Sequence, residues 1–167
     1  MASVGSPVTH RLFLMRHGQA GFAGNDRERP LTSQGREQAA QIGRALAGRG
    51  VERVLCSPAT RTRQTAAALS LRAPVTVIEA LYNCSAGRIL TAVAALPDHV
   101  GAALVVGHYP GVPALAHELA DRRSSDPAAL GKLSGQFSPA TLVELEFTGA
   151  WDELHIARLV AVRQPRS

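Results

Sequence analysis

Aromatic residues are scarce in this chain, at 4% of 167 residues. Its hydrophobic content of 46% comes mostly from Ala, Leu and Val. That balance disfavours an aromatic-rich β-sandwich and favours small helices packed closely on a sheet. Lysine is nearly absent: Lys132 stands alone, and arginine supplies the rest of the positive charge behind a net +5. The arginines are dispersed, without a basic run or interleaved aromatics, so the footprint of a nucleic-acid binder is missing. A positive field around a small anionic substrate is the functional reading of the charge, and a solvated surface is the simpler reading for most single arginines. Only Cys56 and Cys84 are present, with no Cys-x-x-Cys spacing. A disulfide framework and a zinc site are both excluded on that count. Cys56, in Val54-Leu55-Cys56, reads as a small buried hydrophobe. No apolar run approaches the roughly 20 residues that span a bilayer. Met1 to His10 lacks the basic and apolar regions of a signal peptide, so a reducing cytoplasm is the expected location and no membrane partner is expected. No Walker-type loop, acidic cluster or metal-ligand spacing occurs, so no cofactor or metal is expected.

The length fits one domain. Residues 1–10, with Gly5, Ser6 and Pro7, read as a flexible tail, and residues 11–167 as a single domain. Arg11–Met15 is a short apolar strand followed by a long charged loop over 16–31. Thr32 or Ser33 caps a helix that stops near Gly48–Gly50. Val51–Cys56 is a second strand, and Ser57-Pro58 opens a second helix with proline near its first turn. Val75–Ile78 is a third strand, and Ser85 caps a helix closed by Pro97. Ala102–Val106 is a continuous apolar run suited to a central parallel strand, followed by a helix over Val112–Leu119. Residues 120–139 read as a loop or small insert, and Thr141–Phe147 and Leu154–Val162 as a strand pair. This alternation predicts an α/β fold: a three-layer α/β/α sandwich with a largely parallel central sheet and helices on both faces.

The chemistry gathers where strands end. Arg16-His17-Gly18 directly follows Leu12-Phe13-Leu14-Met15. In open α/β sheets, sites form at the carboxyl ends of strands. A neutral imidazole there can attack phosphorus, and an adjacent guanidinium can hold phosphoryl oxygens by a bidentate fork. Three further segments follow in order: Arg29-Pro30-Leu31-Thr32, Ser57-Pro58-Ala59-Thr60-Arg61, and Gly107-His108-Tyr109-Pro110-Gly111. Arg61 lies about one helical turn beyond Ser57-Pro58 and can point back over a strand end. Arg63, two residues on, faces elsewhere and serves as the in-sequence control. His108 follows Leu104-Val105-Val106 at another strand's end, where an imidazolium could donate to a phosphoryl oxygen. Gln19 and Asn25 are candidate phosphate contacts, Gly18 a point of close backbone approach to phosphate, and Thr32 and Gly35 shape the first helix. His10, His99, His117 and His155 match no motif and read as surface or packing residues.

Together, these segments resemble the histidine phosphatase superfamily, which includes the cofactor-dependent phosphoglycerate mutases. The short chain and the wording of the motifs look most like its small SixA-type branch, the phosphohistidine phosphatases. The resemblance runs from about Leu12 to Trp151. It implies a phosphoglycerate mutase-like fold and metal-independent hydrolysis through a covalent phosphohistidine on His17. Arg16 and Arg61 would clamp the phosphoryl group, and His108 would complete the cage. The substrate class implied is a phosphohistidine on a partner signalling protein, such as a phosphotransfer domain, with inorganic phosphate as product.

Larger relatives supply a glutamate to protonate the leaving group. Here Glu79, in Ile78-Glu79-Ala80-Leu81-Tyr82, is the positional candidate, although its surroundings depart from the mutase-like pattern. A site without a strong acid suits a phosphoramidate, because imidazole leaves more readily than an alkoxide. The alternatives are a phosphatase of small phosphate monoesters, with Glu79 as acid, and a non-catalytic phosphate-binding interaction module.

Overall fold

The computed structural model describes residues 8–166. Strands β1 (Thr9–Arg16), β2 (Arg53–Cys56), β3 (Val75–Val77), β4 (Ala102–Gly107), β5 (Leu142–Thr148) and β6 (Arg158–Arg163) form a six-stranded sheet in the order β3-β2-β4-β1-β5-β6. Strands β3, β2, β4 and β1 run parallel, while β5 is antiparallel to β1 and β6 to β5. Helices α1 (Ser33–Leu46), α2 (Thr60–Ala68), α3 (Ala86–Ala94), α4 (Gly111–Leu119) and α5 (Pro127–Leu133) complete the α/β architecture.

The alternation of side chains along β1 divides the core in two. Leu12 and Leu14 join one cluster with Ile89 and Val93 of α3, Leu115 of α4 and Leu133 of α5. Phe13 and Met15 join the other with Ile42 and Leu46 of α1 and Leu69 beside α2. Both faces of the central strands are therefore covered, which is why β1 and β4 read as continuous apolar runs rather than alternating ones. Each such Leu or Phe removed from water contributes about 1.5–3 kcal/mol toward ordering the chain. Trp151 is fully buried and donates from Nε1 to Val100 O at 2.8 Å, so its one polar atom is satisfied.

Element boundaries differ from the sequence expectation in several places. β1 starts at Thr9, so His10 belongs to the sheet and not to the tail expected over 1–10; residues 1–7 lie outside the described residues. α2 starts at Thr60, after an Ala59 cap, so Pro58 precedes the helix rather than occupying its first turn. β3 is an exposed edge strand. The segment 120–139, expected to be a loop or small insert, contains α5. Asp126 caps this helix by accepting from Ala129 N, Pro127 sits at its start, and Ala129 and Leu133 are buried. β6 begins at Arg158 because Trp151–Glu153 form a 3-10 turn instead of a hairpin loop. Among the described residues, no helix is long and apolar enough to cross a membrane.

Register brings the site together. Met15 of β1 pairs with Val106 of β4, and Val106 pairs with Cys56 of β2. Arg16 pairs with Gly107, while Ser57 N donates to Val106 O at 3.2 Å. Adjacent parallel strands thus end level with one another, and the next residues out are His17, His108 and Ser57.

Candidate active site

His17 and His108 emerge side by side, with ring centroids 5.5 Å apart. His17 is buried, and its Nδ1 lies 2.7 Å from Gly18 O. A carbonyl only accepts, so Nδ1 carries the proton and Nε2 keeps its lone pair. Arg61 Nε donates to that Nε2 at 3.3 Å. Burial, followed by the fields of Arg61, Arg16 and Arg29, pushes the His17 imidazole down to about 4 against the opposing Gly18 contact. The ring is therefore neutral near pH 7, as a nucleophile must be.

His108 has the opposite tautomer. Arg61 Nη2 donates to its Nδ1 at 3.2 Å, which leaves the proton on Nε2 to donate to Ser57 Oγ at 2.7 Å. Ser57 Oγ is buried and also accepts from Ala59 N. Burial and then the Arg61 charge push His108 down to about 3. The sequence reading has this ring donate as an imidazolium beside a bound dianion; in this structure it is neutral, with both nitrogens engaged.

The guanidinium groups stand as expected in position but not in all contacts. Arg61 is buried on α2, 3% exposed, while Arg63 is exposed to solvent. Arg16 donates from Nη1 to Phe137 O at 2.8 Å and stacks 5.3 Å from the Tyr109 ring centroid. Its Nε is buried and has no hydrogen-bond partner among the described residues. Burial is the main influence lowering its pKa from the usual arginine value. A groove of about 650 Å³ leads away from Arg16 between Tyr109, Pro113 and Ala114 on one side and Leu133 and Phe137 on the other.

Glu79 lies outside this cluster. Its exposed carboxylate pairs with both terminal nitrogens of Arg27, at 2.5 and 2.8 Å. The Arg27 hydrogen bonds hold it below the usual carboxylate range. Gln19 and Asn25 have structural tasks: Gln19 Oε1 accepts from Thr32 Oγ1 at 2.8 Å, and Asn25 Oδ1 accepts from Glu28 N at 3.1 Å in a short 3-10 turn. Thr32 caps α1 as expected, accepting from Gly35 N at 3.0 Å. Gly18 is required by protein rather than phosphate, since a Cβ there would meet Gly35 O at 2.5 Å. Its N–H donates to Thr65 Oγ1 at 3.0 Å, which pins the loop to α2.

Sequence reasoning missed Asp26, Ser57 and Tyr82 as members of the site. Asp26 takes Arg61 Nη1 on its backbone oxygen at 2.7 Å and Arg61 Nη2 on Oδ2 at 3.1 Å. Tyr82 Oη donates to the same carboxylate oxygen at 2.5 Å. The Tyr82 hydrogen bond, then those of Arg61 and Arg29, keep Asp26 far below the usual carboxylate range despite partial desolvation. Ser57 was legible as a motif residue; Asp26 had no signal beyond charge in a long loop. Among the described residues, no group of three or more His, Cys, Asp or Glu could hold a metal ion.

Known proteins resemble this chain in sequence and fold. Residues 12–104 match the histidine phosphatase superfamily (branch 1), a stretch that includes Arg16, His17 and Arg61 and ends just before His108. An uncharacterised protein of Mycobacterium tuberculosis is 34% identical over 158 residues, covering 91% of this chain and 100% of that protein. The phosphohistidine phosphatase SixA of Escherichia coli is 36% identical over 118 residues, covering 65% of this chain and 73% of its own length. Among solved structures, a SixA-named chain of Nakamurella multipartitia superposes with a TM-score of 0.89 at 39% identity, covering 97% of this chain and 100% of that one. A two-histidine, two-arginine cluster at level strand ends, on a fold and sequence shared with these proteins, leads to one conclusion: the chain belongs to the histidine phosphatase superfamily, branch 1, among its SixA-type members.

Proposed function

We propose that this protein removes the phosphoryl group from a phosphohistidine on a partner protein, through a phosphohistidine formed on His17. The observation that carries the reading is the state of two carboxylates: Asp26, bound to Arg61, and Glu79, the positional acid candidate. Glu79 is tied to Arg27 and Asp26 to Tyr82 and Arg61, so both are held ionised. Neither is a ready acid for an alkoxide leaving group. A phosphohistidine protonated on its other ring nitrogen departs as neutral imidazole and needs no acid at the breaking bond.

In the first step the His17 Nε2 lone pair forms a bond to phosphorus as the substrate P–N bond breaks, its electron pair passing to the departing imidazole. In the second, water attacks phosphorus, the bond to His17 breaks, and inorganic phosphate leaves. Arg61 and Arg16 neutralise the equatorial oxygens. The unpartnered Arg16 Nε supplies a donor already in place, which a phosphoryl oxygen would satisfy. An arriving dianion favours the charged form of His108, whose Nδ1 then donates to the phosphoryl group. The mostly apolar groove beside Arg16 is large enough for side chains around the phosphorylated residue, which supports a protein substrate. The similarity to E. coli phosphohistidine phosphatase SixA supports the same class.

The test is phosphate release from a phosphohistidine-bearing protein, without added metal, beside an aryl phosphate and a sugar phosphate. The expected result is a preference for phosphohistidine that disappears in His17→Ala. Preference for an ester would favour a small-molecule phosphatase with a different acid, and no His17-dependent release from any substrate would leave a binding module.

A further inference from the structure

Arg61 touches both histidines with one edge, and its adjoining edge is gripped by one residue. The Nε and Nη2 hydrogens point at His17 Nε2 and His108 Nδ1, at 3.3 and 3.2 Å. The Nη1 and second Nη2 hydrogens point at the backbone oxygen and carboxylate of Asp26, at 2.7 and 3.1 Å. A guanidinium is a rigid planar fork, so fixing one edge fixes the direction of the other. Asp26 is itself held from several sides. Its Oδ2 accepts from Tyr82 Oη and from Asn83 Nδ2 at 3.4 Å, and its Oδ1 from Arg29 Nη1 at 3.3 Å. Arg61 is almost fully buried while the Asp26 side chain is 45% exposed, so the carboxylate stands at the rim and the fork points inward.

We propose that Asp26 is a positioning residue, anchored by Tyr82, that aims the Nε/Nη2 edge of Arg61 at the phosphoryl group bound over His17. This deepens the phosphotransfer reading and rests on it. A carboxylate beside an anion site invites the contrary idea of a plug that occupies the seat of the oxyanion. The geometry points away from that: Asp26 takes the Nη1/Nη2 edge and leaves the adjoining Nε/Nη2 edge to the two histidines. It also compensates one of the arginine charges without touching His17 or His108.

The experiment uses orthovanadate binding by calorimetry, which reads the cage without turnover, together with kcat and KM on an aryl phosphate. Asp26→Ala should weaken vanadate binding about tenfold and lower kcat about 10–100-fold, as loss of a residue supporting a ligating group does. Asp26→Asn should recover most of both, because its amide oxygen still accepts from Arg61. Tyr82→Phe should lose a few-fold in vanadate affinity, the cost of one anchoring contact. It carries the test alone if Asp26→Ala fails to fold by thermal melting. Vanadate affinity equal to or tighter than wild type, with kcat unchanged or raised, would overturn the proposal, as would an unaltered affinity in Tyr82→Phe where that variant stands alone. Weaker vanadate binding in Asp26→Ala with no turnover by wild type, either of the aryl phosphate or of a phosphohistidine-bearing protein, would keep the positioning role and sink the phosphatase reading.

Discussion

Strand β1 carries one histidine near its amino end and runs out into another just past its carboxyl end, and both are buried, His10 at 1% and His17 at 8% exposure. At the amino end, His10 has both ring nitrogens against backbone carbonyls, Gly149 O at 2.7 Å and Asp98 O at 3.0 Å. Its ring stacks 5.4 Å from Phe147 and lies 4.7 Å from Trp151. At the carboxyl end, His17 gives one nitrogen to a carbonyl and leaves the other facing a guanidinium. Burial and a place on the line of β1 are shared, so neither makes a nucleophile. The difference lies in the unshared nitrogen, and in a parallel sheet whose carboxyl ends open onto loops. Packing encloses the opposite end of the strand.

Exchanging the two histidines for alanine should separate these roles most widely. His17→Ala should lower kcat/KM by about three orders of magnitude or more, because a covalent route loses its nucleophile. His10→Ala should leave kcat near wild type and cost about 2–3 kcal/mol of stability in chemical denaturation, as truncation of a buried ring does. A large activity loss in both would dissolve the contrast. The two arginines of α2 extend it: Arg61→Ala should cost about 10²–10³ in kcat, the scale of one transition-state donor. Arg63→Ala should stay within about threefold, as an exposed substitution away from the site should.

Acid sharpens the comparison further. His17 must be neutral to attack, and its value is lowered to about 4. Activity on a substrate stable to acid should hold as pH falls from 7 to 5, then drop about tenfold per unit below 4 as the ring protonates. His108, lowered to about 3, shares the linkage. Both folded values lie below the ordinary 6.5, so the unfolded chain binds more protons from about 6.5 downward, and stability should decline as pH falls through that window. The smallest effect should belong to Glu79→Gln, within about threefold in kcat on phosphohistidine, because the carboxylate pairs with Arg27 at the surface. A drop of a hundredfold would restore Glu79 as the acid.

What the sequence made legible follows a physical divide. His17 and His108 each end a local apolar run, and a strand's end is a local property. Arg61 follows because one helical turn links it to Ser57-Pro58. Asp26 contacts Arg61 and Tyr82 at separations of 35 and 56 residues, so no local pattern announces it. Helix α5 was hidden by Ser, Pro and Gly around it, although Asp126-Pro127 is a cap followed by an N1 proline. The three-layer arrangement was readable because β1 and β4 are apolar on both faces, whereas the exposed β3 owes its place to pairing with β2.

The most direct test of the account is to trap the intermediate. The protein is mixed with a phosphohistidine-bearing protein, quenched in alkali, where phosphohistidine survives, and digested for mass spectrometry. The account predicts one acid-labile phosphoryl group on the peptide carrying His17, absent in His17→Ala and present in His10→Ala. Turnover without that label, or a label on another residue that persists in His17→Ala, would contradict it.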